Sequence, residues 1–86
     1  MKELERTLKA LANKRRLAII RLLKRNKEAS VSEIAETIDL SFRSTSRHLA
    51  ILFSANIVDK RQQSIEVYYR LALKKHTLCE FVLTLL

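Results

Sequence analysis

Apolar side chains recur along this chain at helical spacing for most of its length and at a period of two in one short segment. Leu4, Leu8 and Leu11 alternate with Lys2, Glu3, Glu5, Arg6 and Lys9, which predicts an amphipathic helix over about residues 3–12. Asn13 stands where an N-cap belongs. Leu17, Ala18, Ile19, Ile20, Leu22 and Leu23 then give a second helix ending near Asn26, with Lys24, Arg25 and Lys27 at its electronegative end. Ser30 and Glu33 fit a capping box ahead of a short third helix whose Val31, Ile34, Ala35 and Ile38 face inward. Asp39 stops that helix, Leu40 plugs the turn, and Ser41 caps a fourth helix over about residues 41–55. Helix, short turn, helix is the spacing of a helix-turn-helix unit.

In the fourth helix Thr45, Leu49 and Leu52 form the stripe that must be buried, and Arg43, Arg47, Ala50 and Ser54 point the opposite way, flanked by Ser44 and Ser46. Phe42, Ser46, Leu49 and Phe53 make a second line along one flank, where Phe42 is expected to pack against a neighbouring element, the alternative being contact with a thymine methyl. Asn56 closes the helix at a position that favours a left-handed residue. Beyond it the period changes. Ile65, Val67, Tyr69 and Leu71 alternate with Glu66, Tyr68 and Arg70, the pattern of a strand, and Ile57 and Val58 open its hairpin partner. One of Tyr68 and Tyr69 should therefore be core. The tip reads Lys60, Arg61, Gln62, Gln63 and Ser64; without Gly or Asn a two-residue primed turn is not expected, so a looser loop is. Residues 73–86 read as a last helix, apolar nearly all round, which needs cover on two sides: its own domain and a second copy of the chain.

The whole is one domain, residues 1–86, mainly α with a small β-hairpin: a dimeric winged helix-turn-helix fold. The chain has no Gly and no Pro, so turns that need positive φ fall to Asn or Asp, with Asn13, Asn26, Asp39 and Asn56 as punctuation. Its single cysteine rules out an internal disulfide. No apolar run approaches the ~20 residues needed to span a bilayer, and the N-terminus lacks the apolar stretch of a secretion signal, so no membrane contact and a cytoplasmic location are expected. Seventeen Lys and Arg against nine Asp and Glu give a net charge of +8, which favours a polyanionic partner.

Where those charges fall narrows the partner to double-stranded DNA. Arg43 and Arg47 can fork onto guanine, and Ser41, Ser44 and Ser46 can donate to bases or phosphates. His48 lies on the edge of the buried stripe, bonded to backbone or phosphate. In the wing Lys60 and Arg61 meet the sugar-phosphate backbone, while Gln62, Gln63 and Ser64 reach the minor groove. The competing reading of both surfaces is a solvated polar face. Leu4, Leu8, Leu78, Phe81, Val82 and Leu85 are the expected dimer contacts. His76, Cys79 and Glu80 share one face of the last helix at metal-ligand spacing, but a lone Cys on an apolar helix is more often a small core residue, so no metal or other cofactor is expected. There is no phosphate-binding glycine loop and no nucleophile–base pattern, so no enzyme is expected.

The segments LKALANKRRLAIIRLL, VSEIAETIDLSFRSTSRHLAIL and VYYRL, in this order and spacing, resemble the ArsR family of winged-helix repressors. The resemblance covers about residues 8–71. It implies a homodimer built from the first and last helices, operator recognition by the fourth helix, and repression relieved by an effector. It places Arg43, Ser44, Ser46, Arg47 and His48 in the DNA-reading segment, and Lys60, Arg61, Gln62, Gln63 and Ser64 in the wing. Metal-sensing members often carry cysteines at the start of the third helix; here that place reads Ala29, Ser30, Val31 and Ser32, with no thiol, and the effector stays unnamed. Two alternatives remain beside the repressor: a winged-helix module that docks an acidic protein, and a constitutive DNA binder that senses nothing.

Overall fold

The structure, a computed structural model, describes residues 1–86. The order of elements is α1 (Lys2–Leu11), α2 (Lys14–Asn26), β1 (Glu28–Ser30), α3 (Val31–Ile38), α4 (Phe42–Ser54), β2 (Val58–Gln63), β3 (Glu66–Leu71) and α5 (Thr77–Thr84). One apolar cluster of 17 buried residues draws on every element, with Ile19, Ile20, Leu23, Ile34, Leu49, Leu52, Ile57 and Val58 at its centre. Each such side chain contributes about 1.5–3 kcal/mol through removal from water.

The helix boundaries follow from their caps. The Asn13 side chain accepts from the backbone N–H of Arg15 and Arg16, and Ser30 and Glu33 make both halves of the capping box. Both helices of the helix-turn-helix unit end the same way. Asp39 takes φ 56 and ψ 54, with Leu40 N–H donating to the Ala35 carbonyl. Asn56 takes φ 60, with Ile57 N–H donating to the Leu52 carbonyl. These are Schellman turns with Asp and Asn at the place usually held by Gly, since a short polar side chain tolerates the left-handed region best after Gly. Asn26, expected as a third such residue, is instead the last residue of α2. Lys27 turns the chain with φ 60 and ψ −48.

The sheet departs from expectation in three ways. It has three strands, not two, in the order β1-β3-β2, all antiparallel. Glu28, Ala29 and Ser30 pair with Arg70, Tyr69 and Tyr68, so the wing is anchored to the helix-turn-helix unit by backbone hydrogen bonds. The tip is not a loose loop: Gln63 faces Glu66 across a two-residue turn, Ser64–Ile65, and Ser64 carries φ 60, the position where a type II′ turn favours Gly. Ile65 therefore lies in the turn rather than on the buried face of a strand, and it is 93% exposed. Tyr69 is buried and Tyr68 is half-buried.

The last helix is shorter than the expected 73–86. The His76 ring Nδ1 accepts from Leu78 N–H at 3.0 Å and starts α5 at Thr77, because an imidazole acceptor can fill the N-cap role of a Ser or Asp. α5 packs on α1 and α2 and buries Cys79 and Leu83. Among the expected dimer contacts, Leu8 is 49% exposed, Phe81 61% and Leu85 69%, while Leu4, Leu78 and Val82 are half-buried. No helix is long and apolar enough to cross a membrane.

Candidate nucleic-acid interface

α4 is thirteen residues, about 20 Å long. Thr45, Leu49 and Leu52 fix it to the core, which turns Arg43, Arg47, Ala50 and Ser54 to solvent. Ser41 caps it by accepting from Ser44 N–H at 3.1 Å, so Ser41 sets the start of the helix and keeps its hydroxyl proton free to donate to a ligand. Ser44 and Ser46 are half-buried beside the two arginines. Neither Arg43 nor Arg47 has a hydrogen-bond or ion-pair partner within the chain, and no acidic residue lies on α4. Two unopposed guanidinium groups near a helix N-terminus form an anion-seeking face.

His48 does not share that freedom. Its Nδ1 lies 3.1 Å from Arg16 Nη1. Partial burial first, and then the Arg16 and Arg15 charges, hold its pKa below the ordinary imidazole value. Phe42, expected to pack against a neighbour, is 59% exposed at the N-terminus of α4. With Ile65 and Val31 it borders a small cleft between the helix-turn-helix unit and the wing.

In the wing Lys60, Arg61, Gln62 and Gln63 are exposed but belong to β2, paired with Tyr69, Tyr68, Val67 and Glu66, not to a loop. Lys60 Nζ stands 4.5 Å from the centre of the Phe53 ring on α4, a cation–π contact worth about 0.5–1 kcal/mol at an exposed site. Arg61 is committed within the chain. Its Nε and Nη2 donate to both Glu28 carboxylate oxygens at 2.9 and 2.8 Å, its Nη1 donates to Gln63, and its guanidinium lies over the Tyr68 ring. The hydrogen bonds from Arg61 hold the Glu28 carboxyl below its ordinary range, with the Arg61 and Arg70 charges adding to the effect. The sequence places Arg61 on phosphate; the fold turns it back across the sheet. Glu28 and Ile65 are the wing residues that sequence reasoning missed. Only the β1–β3 pairing, invisible in a three-residue strand, brings Glu28 near the wing, and only the tight turn takes Ile65 out of the core face.

His76, Cys79 and Glu80 each have other contacts: His76 caps α5, Cys79 is buried with its thiol pushed up by that burial, and Glu80 lies 3.6 Å from Lys75. No three His, Cys, Asp or Glu side chains converge in a geometry that could hold a metal ion.

Residues 13–60 match the model of the bacterial regulatory proteins of the arsR family, and this stretch contains the whole helix-turn-helix unit and the start of the wing. The chain belongs to the arsR family. This ArsR-family chain is 42% identical over 65 residues, 76% of its length, to the transcriptional activator HlyU of Vibrio cholerae, of whose length the match spans 59%. The solved structure of HlyU from Vibrio cholerae superimposes with a TM-score of 0.83 at 33% identity, covering 98% of this chain and 91% of that one. A possible ArsR-family regulator from Mycobacterium bovis, solved as a homodimeric winged helix-turn-helix DNA-binding domain, gives 0.82 at 32% identity, over 98% and 74% of the two chains. The five helices and the three-stranded sheet are those of a winged helix-turn-helix domain.

Proposed function

We propose that this protein is a sequence-specific, double-stranded DNA-binding transcription regulator that works in the cytoplasm as a homodimer, without a bound metal or other cofactor and without catalytic activity. The observation that carries this reading is the outward face of α4, where Arg43 and Arg47 are exposed and have no partner inside the chain. A helix of that length enters a major groove, and Arg is the side chain that best reads guanine there. Ser41, Ser44 and Ser46 add donors to phosphate or base, and Lys60 adds a backbone contact from the wing. The Mycobacterium bovis relative is described as a homodimer. The uncovered Leu8 on α1, Phe81 on α5 and Leu85 just beyond it give this chain an apolar surface for the same arrangement, which sets two α4 helices about 34 Å apart on one side of the duplex.

Repression follows from occupancy, because a dimer seated across promoter DNA excludes polymerase. The Vibrio cholerae relative is named an activator, so a reporter fusion carrying the bound sequence in its promoter is the measurement that fixes the sign. The binding itself is tested by selecting duplexes from a random pool and titrating salt. The expected outcome is an imperfect palindrome and an affinity that falls by roughly 0.9 log units per neutralised phosphate for each log unit of salt. Recovery of no common motif, with affinity independent of salt, overturns the reading.

A further inference from the structure

A groove of about 620 Å³ lies between α1 and the C-terminal half of α4, and neither Arg43, Arg47 nor any wing residue lines it. Its volume falls in the range of small-molecule sites. Lys2, Arg6 and Lys9 stand along the α1 wall at i, i+4 and i+7, one row of the helix, and Arg16 joins them from α2. Leu8 lies on another row. One carboxylate, Glu5, lines the groove, and it is turned to Lys9 at 3.9 Å. Lys2 and Arg6 have no ion-pair partner in the chain. Arg16 is half-buried, and its Nε, Nη1 and Nη2 meet the Ala10 carbonyl, His48 Nδ1 and the Lys9 carbonyl. All three acceptors are neutral, so this guanidinium has no counter-ion. One N–H remains on each terminal nitrogen, and both can meet a carboxylate. The base of the groove is apolar, formed by Ala10 and by Ile51, which is 43% exposed.

We propose that this groove binds a small organic anion, a carboxylate carried on a short alkyl chain, and that its occupancy weakens DNA binding. The carboxylate meets Arg6 and Arg16, and the chain lies on Ile51 and on the apolar stems of the lysines and arginines. Duplex phosphate is the other anion within reach of these cations, but it carries nothing to cover Ile51. The regulation follows from charge and from position. A bound anion cancels positive charge beside α4 and lowers its attraction for phosphate. It also competes with His48 for Arg16, the contact that ties the end of α1 to α4. Duplex in turn weakens the anion by the same factor, because coupling between two sites is reciprocal. This regulatory half rests on the DNA-binding reading above, and the site itself does not.

Isothermal titration of the full chain with octanoate, at low salt and without DNA, tests the site. Octan-1-ol, which lacks the charge, and inorganic phosphate, which lacks the chain, should each bind at least about tenfold more weakly. Arg6→Gln and Ile51→Ser change exposed side chains and leave the fold intact, and each should weaken octanoate by about tenfold. Octanoate at a concentration that saturates the wild type should lower its affinity for a duplex recovered from a random pool by about tenfold, and should shift Arg6→Gln far less. Three results overturn the site: no binding of octanoate, equal binding of octanoate and phosphate, which marks a plain cation surface open to duplex phosphate, or octanoate binding that survives in both variants. Tight octanoate binding with unchanged duplex affinity overturns the regulation. Recovery of no duplex overturns the DNA-binding reading, and the titration without DNA still decides the site.

Discussion

Arg16 joins three helices through one guanidinium. Its Nη1 meets His48 Nδ1 on α4 at 3.1 Å, while its Nε and Nη2 donate to the Ala10 and Lys9 carbonyls at 2.6 and 3.1 Å, near the end of α1. Arg has donors only, so Nδ1 of His48 must accept, and the ring is neutral with its proton on Nε2. The contact links a helix of the expected dimer surface to the helix expected to read DNA. It exists only while His48 is unprotonated. The sign of the pH effect follows. The folded pKa of His48 is lowered, by burial first and then by Arg16 and Arg15, so the unfolded chain binds this proton more readily. The stabilising contribution is present above the ordinary imidazole value of about 6.5 and is lost as pH falls through the lowered folded value. Thermal unfolding followed from about pH 8 to pH 5 should show a fall in midpoint that is smaller in His48→Gln, which keeps an acceptor and does not titrate. An identical pH profile in the variant would remove His48 as the cause.

The absence of glycine leaves strain that a substitution can relieve. Lys27 adopts φ 60 and ψ −48, outside the region that even Asn and Asp tolerate, and Ser64 adopts φ 60 in the tip turn. Such conformations cost about 1–3 kcal/mol in a residue with a Cβ. Lys27→Gly is expected to raise the unfolding free energy by about 1 kcal/mol in urea. Asp39→Gly and Asn56→Gly should gain only a few tenths, because those side chains already suit the left-handed region. Equal gains at these three sites would show that side-chain identity does not matter there.

What could be read from the sequence divides along the distance over which the causes act. Asn13, Ser30, Glu33, Ser41, Asp39 and Asn56 each meet a backbone group within a few residues, so their roles were legible one by one. The buried stripe of α4 was legible because period alone determines a helix face. Arg61 was misread because its partner is 33 residues away, and the pairing that brings Glu28 to it runs through a strand too short to show a period. Ile65 was misread for the opposite reason: it extends a period-two pattern that the turn interrupts, and no Gly marks the interruption. Residues 73–76, Leu73, Lys74, Lys75 and His76, read as part of the last helix, which starts only at Thr77 because the His76 side chain acts as its N-cap, a role not legible from residue type.

The Thr45 hydroxyl is buried and has no hydrogen-bond partner. Thr45→Val keeps the shape and removes the unsatisfied group, whose desolvation costs about 1–3 kcal/mol. The variant should therefore unfold at higher urea than the wild type, with the same slope, and should bind duplex unchanged because position 45 faces the core. A lower midpoint would mean that the hydroxyl is satisfied in solution.

Leu8 and Phe81 belong to helices that pack on each other, Leu85 directly follows the second of them, and all three are exposed. Placing a carboxylate there adds charge to a surface expected to be dry in the dimer and changes little in a protomer alone. Leu8→Glu and Phe81→Glu should sediment as folded monomers. Their affinity for a palindromic duplex should fall by about a hundredfold or more, since the second α4 no longer binds at high effective concentration. A variant that stays dimeric would move the interface elsewhere on the molecule.

The Glu28–Arg61 pair makes the charge of the wing conditional. Arg61 is exposed and Glu28 half-buried, and water screens the pair, so it contributes little to stability. Its effect is on direction: two donors of Arg61 are fixed on Glu28 and a third on Gln63, which leaves phosphate to compete for a guanidinium already bound. Glu28→Gln removes the competing charge and keeps the side-chain shape. Arg61 should then reach the DNA backbone, raising affinity for all duplexes alike and steepening the salt dependence by up to about 0.9 log units per protomer. Arg61→Ala in the wild-type background should change that slope less than Lys60→Ala does, the reverse of what a phosphate-bound Arg61 requires. The two slopes, measured on one duplex between about 50 and 200 mM salt, decide between the positions of Arg61, because a counterion is released only by a cation that leaves its protein partner for phosphate.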